Sequence, residues 1–300
     1  MWRPDDGWVP LPGGSGTSTG GVWLDRSTEP ASVVKRFVPP GPDDPDELAD
    51  PHHAGWWRRA AAVAQGGVVD ATAGLRSVRT LDVAEDASGI TLRQEYVEAD
   101  PLPGPYLAAR LAVFAGNAVP RADWLARAQL ADRVRRVEWR GGWRTLARTN
   151  IADVADRLWA RRHRHLAALD ALPQVLQHGD PVPANFRARS GDDVLALDWS
   201  TLGTGPVGAD LGYLALSARE DLEVLLDVYA AALPQDLATR EEALLGARVT
   251  AVYTVLNRAE WVLARAAEGE GALAGKFRHP SVAPYLRVLQ RQYPHLEALL

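Results

Sequence analysis

Alternating apolar and polar positions dominate the first third of the chain, and apolar positions three to four residues apart dominate the rest. SVVKRF (32–37) alternates well enough for a strand, and ITLRQEYV (90–97) is the clearest of several strand-like pieces within 68–97. WVPLP (8–12) and VWL (22–24) read as two earlier strands joined by the loop GGSGTSTGG (13–21), and DRSTEPA turns the chain into SVVKRF. The Pro- and Asp-rich stretch 39–55 predicts a surface excursion, followed by a short helix over 56–65. PLPGP (101–105) breaks the pattern, and helical spacing takes over, for example Ile151, Val154, Leu158, Leu166 and Leu169 within 151–170. Strand character returns only at 174–178 and 186–198, where FRARS, GDD and VLALD predict a hairpin. Helices are expected again over 219–232, 236–267 and 281–299. The pattern thus divides the chain into a sheet-rich part, 1–97, and a mainly helical part, 98–300.

Composition narrows the chemistry. Of 300 residues, 47% are hydrophobic, enough for a substantial core, and there is no cysteine. Disulfides, thiolate metal sites and cysteine nucleophiles are therefore excluded. The net charge of −5 offers no global attraction to nucleic acid or to an anionic membrane. RVRRVEWRGGWR (133–144) mixes Arg with Trp, but it is short and sits in an acidic chain, so no nucleic-acid partner is expected. No apolar run reaches the roughly 20 residues that span a bilayer, and MWRPDDGWVP lacks the pattern of a signal peptide. A cytoplasmic protein without a membrane partner is expected. His52, His53, His163 and His165 have no ligand-spaced partners and read as surface histidines.

The densest chemical signal is HGDPVPAN (178–185). Pro181 and Pro183 keep this stretch out of any helix interior, so Asp180 and Asn185 share one stiff loop. QVLQ before it reads as a buried lead-in. Asp198 ends the apolar LALD, and a hairpin would return it to the loop. The oxygens of Asn185 and Asp198 then suit a hard cation such as Mg²⁺, leaving Asp180 to face a hydroxyl.

H-G-D-x-x-x-x-N followed by D-W, at Asp198-Trp199, resembles the aminoglycoside phosphotransferase and choline kinase group. The resemblance implies an α+β, bilobal protein-kinase-like fold with a nucleotide-binding lobe at 1–97 and a catalytic, acceptor-binding lobe at 98–300. It implies transfer of the γ-phosphoryl group of ATP, or GTP, to a hydroxyl of a small molecule. An aminoglycoside or another antibiotic is the acceptor the group is named for. A metabolic kinase of a sugar or amino alcohol is the second reading, and a catalytically silent nucleotide-binding protein the third. Asp180 is the implied catalytic residue, Asn185 and Asp198 the Mg²⁺ ligands, and His178 and Asp210 supports of the loop. Ser15, Gly16 and Thr17 lie where a phosphate-cradling glycine loop belongs, and Lys35 where the phosphate-binding lysine belongs. Glu95 to Val97 fall at the hinge that pairs with adenine. In one place the sequence departs from the group: the helix after Lys35 carries Ala60 where a Glu would pair with the lysine. Tyr253, Asn257, Glu260 and Trp261 share a helix face in the region that forms the acceptor pocket in the group, and the same face also reads as a partly buried helix with one polar edge.

Overall fold

The structure, a computed structural model, describes residues 2–12, 18–139, 150–267, 291, 295 and 298–299. The first part forms an antiparallel sheet in the order β1-β2-β3-β6-β5. Its strands are β1 (Val9–Pro10), β2 (Thr19–Asp25), β3 (Ser32–Phe37), β5 (Thr80–Asp86) and β6 (Gly89–Glu95). Helix α1 (Arg59–Gly66) and the short strand β4 (Leu75–Ser77) come between β3 and β5. SVVKRF is central, paired with β2 and β6, with Lys35 opposite Val22 and Leu92.

Alternation along β3 sends Lys35 and Phe37 to one face and Val34 and Arg36 to the other. On the first face Phe37 packs with Ala60, Ala61, Ile90 and Leu92. On the second, Arg36 is buried, bonds Asp86, Ser88 and Thr91, and lies over Trp2. Trp2, Trp8 and Trp23 gather there with ring centroids 5.3–6.3 Å apart.

Asp25 closes that corner of the sheet. Hydrogen bonds from Ser27 and Arg93 hold its carboxyl down to about 2. Its folded pKa lies below the unfolded value near 4. The stabilisation is therefore complete above about pH 4 and is lost as pH falls toward 2. Asp25→Asn is expected to shrink the stability drop across that window, which urea denaturation at stepped pH measures.

The second part is built from helices α2 (Gly104–Ala115), α3 (Gln129–Trp139), α4 (Asn150–Ala160), α5 (Arg162–Asp170), α6 (Ala209–Ala215), α7 (Leu222–Ala232) and α8 (Arg240–Ala267). The 151–170 helix expected from the pattern is two helices, broken at Arg161. The helix expected over 281–299 falls almost wholly outside the described residues. Helix α6 crosses α8 backbone to backbone: a Cβ on Gly212 would stand 2.0 Å from the Ala247 carbonyl oxygen. Among the described residues no helix is long and apolar enough to cross a membrane.

Two small ladders position the loop between the parts. β7 (Gln174–Gln177) pairs antiparallel with β10 (Gly203–Pro206). β8 (Phe186–Ser190) and β9 (Asp193–Ala196) form the expected hairpin. β4, which the pattern grouped with the first sheet, instead pairs parallel with β9. The excursion 39–55 is not wholly on the surface either: Leu48, His53 and Ala54 are buried.

Candidate functional site

QVLQ forms β7, buried at its last three residues, and delivers the chain into the HGD loop. Gly179 has φ of +84°, and a Cβ there would lie 2.4 Å from Gln129 Oε1, so only glycine fits. Asp210, at the start of α6, accepts the backbone N–H groups of His178 (2.7 Å) and Gly179 (3.0 Å). Full burial pushes its carboxyl upward, against the pull of the His178 and Gly179 donors. His178 is fully buried; its Nδ1 accepts the Asp180 N–H, so the ring proton is on Nε2 and is donated to the Leu197 carbonyl at 2.8 Å. One imidazole thus ties the HGD loop to the residue before Asp198.

Asn185 closes the loop from its far end. Its Nδ2 donates to the Asp180 carbonyl (2.8 Å) and to Asp180 Oδ2 (3.2 Å), and its own carbonyl accepts the Leu197 N–H. The amide nitrogen is committed, which leaves Oδ1 as the oxygen available to a ligand. Asp198 lies two residues beyond β9 rather than at its end, with φ of +55°, a left-handed conformation that Asp tolerates. Burial alone would raise its carboxyl; Lys35 and Ser200, both bonded to Oδ1 at 2.8 Å, hold it below the ordinary range. Its Oδ2 makes no hydrogen bond among the described residues.

The lysine is therefore held without the missing glutamate. Lys35 pairs with Asp198 and lies over the Phe37 ring at 5.1 Å, while Ala60 packs in the apolar cluster on that side of the sheet. Lys35, Asp180 and Asp198 come from segments far apart in sequence and line one cleft of about 420 Å³. Ser18 and Thr19, at the end of the glycine loop, line it too. Ser15, Gly16 and Thr17 lie outside the described residues. At the expected hinge, the Glu95 N–H is bonded to the Arg79 carbonyl and the Val97 carbonyl accepts two bonds from Arg187. The Val97 N–H makes no hydrogen bond among the described residues.

The opposite wall of the cleft was not legible in the sequence. Trp56, Trp57, His53, Asp132, Arg133 and Arg136 line it. His53, expected at the surface, is buried because the excursion folds back: the Ala54 N–H bonds Asp132 Oδ2 at 2.9 Å. The helix-face candidates fare differently. Asn257 is half-buried and Glu260 buried on α8, and neither is among the described residues lining the cleft. The Trp261 side chain lies outside the described residues.

The sequence matches the phosphotransferase enzyme family over residues 32–244, well over half of the chain. The chain belongs to this family. No curated protein sequence matches it. Among solved structures, choline kinase LicA from Streptococcus pneumoniae superposes with a TM-score of 0.59 at 15% identity, covering 96% of this chain and 93% of that one. A choline/ethanolamine kinase family protein from Mesorhizobium loti gives 0.57 at 17% identity, over 97% and 91%. The GDP complex of aminoglycoside 2'-phosphotransferase-IIIa gives 0.59 at 14% identity, over 96% and 92%. These phosphotransferase relatives share the bilobal kinase-like fold, and the HGD loop and the Asp198 hairpin both lie inside the matched segment.

Proposed function

We propose that this phosphotransferase moves the γ-phosphoryl group of a nucleoside triphosphate, ATP or GTP, to a hydroxyl of a small molecule. The observation that carries the reading is the meeting of Lys35, Asp180 and Asp198 in one cleft, with Asn185 bonded to Asp180. Each residue then has one task. Lys35 places a positive charge on the nucleotide phosphates. Asp180 accepts a hydrogen bond from the acceptor hydroxyl, aims its oxygen at the γ-phosphorus and takes the proton as the new O–P bond forms. The bond from phosphorus to the bridging oxygen breaks, leaving a phosphate ester and a nucleoside diphosphate.

Asn185 Oδ1 and Asp198 Oδ2 fit a Mg²⁺ ion: they are hard oxygens, and two protein ligands suit an ion completed by phosphate and water. Such an ion supplies neutralisation of phosphate charge. The neighbours named as choline and aminoglycoside kinases support a small hydroxyl compound as acceptor.

Binding and turnover test the reading separately. Mg-ATP or Mg-GTP at about one hundred times its Kd is expected to stabilise the protein by about 2.7 kcal/mol, a rise in Tm of roughly 5 °C. Asp198→Ala is expected to abolish that rise, because the variant loses both a metal ligand and the partner of Lys35. A rise in the wild type without phosphate transfer to any acceptor would favour a binding protein over an enzyme.

A further inference from the structure

The cleft beside Asp180 carries hydrogen-bond donors that meet no protein acceptor among the described residues. Arg133 reaches it from α3, donates to the Gly179 carbonyl beside Asp180, and lies 4.8 Å from the centre of the Tyr213 ring. Arg258 comes from α8 to the same ring, 4.5 Å from its centre, and donates to the Tyr213 hydroxyl. Among the described residues neither guanidinium has a carboxylate within ion-pair distance. Two positive charges thus stand around one phenol whose hydroxyl the Asp180 carboxylate also faces; of the two arginines, Arg133 lines the cleft and Arg258 does not. A guanidinium has five N–H donors, and most of those on Arg133 have no protein acceptor among the described residues.

His53 adds a donor on the same wall of the cleft. Its Nδ1 accepts the Gly55 N–H at 3.1 Å, which puts the ring proton on Nε2. That atom is buried and has no hydrogen-bond partner; the nearest carboxylate oxygen, Asp132 Oδ2, is 3.9 Å away. A buried donor without an acceptor is costly, and an acceptor atom on a bound molecule would relieve it. Asp132 already accepts the Ala54 N–H.

Donors without a protein acceptor on that wall complement an anion. The geometry points to an acceptor that carries, besides its hydroxyl, a carboxylate or phosphate held by Arg133 and the His53 Nε2–H. Guanidinium groups pair such anions with two parallel bonds, which would fix the hydroxyl at Asp180. A polycationic aminoglycoside would bring ammonium groups against Arg133, where like charges repel. This inference rests on the phosphotransfer reading and names the chemical class of its acceptor.

Matched acceptors decide it. The first set is glucuronate, glucose and glucosamine; the second is glycerol 3-phosphate, glycerate, glycerol and serinol; kanamycin stands alone. Each is incubated with Mg-ATP, and phosphate added to the acceptor is followed by mass spectrometry. In at least one set, an anionic member is expected to exceed its neutral and cationic counterparts at least tenfold in kcat/KM. Arg133→Gln is expected to raise KM for that anionic acceptor about tenfold and erase the preference, while Arg133→Lys, keeping the charge, restores part of it. His53→Phe, which keeps the ring but not the donor, is expected to raise KM less. Phosphorylation of neutral or cationic members with the anionic ones idle would overturn the anionic acceptor and leave phosphoryl transfer standing. An anionic preference that survives in Arg133→Gln would overturn the assignment to Arg133. No transfer to any acceptor, together with no thermal shift by Mg-nucleotide, would overturn both readings.

Discussion

Asp180→Asn protein is expected to bind Mg-nucleotide as the wild type does and to turn over about 10²–10⁴-fold more slowly, the usual worth of a positioned proton acceptor. The substitution is nearly isosteric, and the loop does not depend on the charge it removes. His178 and Gly179 are held by Asp210 through their backbone N–H groups, and the Asp180 N–H bonds the His178 ring. The amide oxygen of an asparagine can still accept from Asn185 Nδ2. The groups assigned to the nucleotide and its metal, Lys35, Asn185 and Asp198, are untouched. What is lost is the capacity to take a proton from the acceptor hydroxyl. Thermal shift with Mg-ATP should therefore match the wild type while single-turnover transfer collapses. Wild-type transfer by this variant would remove Asp180 from the chemistry. A lost thermal shift would mean instead that Asp180 serves the nucleotide. Asp198→Ala provides the contrast, losing nucleotide stabilisation and transfer together.

The parts of the site that were legible in the sequence are those whose constraints are local. HGDPVPAN announces a stiff loop because proline and glycine forbid the alternatives, and SVVKRF alternates because one face of β3 packs on an apolar cluster. The hairpin after Asn185 follows from two short runs and a turn. What was not legible depends on who meets whom. The parallel pairing of Leu75 with Val194 leaves no mark in either segment, since so short a strand reads the same beside any neighbour. The replacement for the absent glutamate was hidden for the same reason: Ala60 shows that a partner is missing, and only the fold shows that Asp198 takes the lysine. His53 looked exposed because histidines in a Pro- and Asp-rich stretch usually are, yet the stretch folds back onto α3. Periodicity also carried 151–170 through as one helix, whereas the chain turns at Arg161.

The pair Arg58-Arg59 makes the same point in energy. The two residues are identical in sequence terms, and their replacement by alanine is expected to differ by several kcal/mol. Arg58 is partly exposed and pairs with Glu85 at the surface, an interaction worth about 0–1 kcal/mol. Arg59 is fully buried. Its Nε donates to the Trp124 carbonyl, Nη1 to the carbonyls of Ala54 and Ser200, and Nη2 to those of Pro51 and His53, at 2.6–3.1 Å. Five bonds match the five donors of a guanidinium. Burial lowers its pKa to about 10, which still leaves it charged at neutral pH. No carboxylate bonds it directly; carbonyl dipoles satisfy the charge, and they join the excursion, α1, the segment before α3 and the turn carrying Ser200. Removing the side chain strands these carbonyls, each at about 1–3 kcal/mol if left dry. Water entering the gap recovers part, so Arg59→Ala should cost about 3–5 kcal/mol, the range for breaking a buried charged interaction. Lysine offers three donors at most, so Arg59→Lys should fall between alanine and wild type. Because Ser200 follows Asp198 by two residues and bonds its carboxylate, Arg59→Lys should also weaken Mg-nucleotide binding at temperatures where it stays folded. Chemical denaturation of the Arg58→Ala, Arg59→Ala and Arg59→Lys proteins measures the order, and equal losses at positions 58 and 59 would show that the five-carbonyl clasp does not hold the lobes.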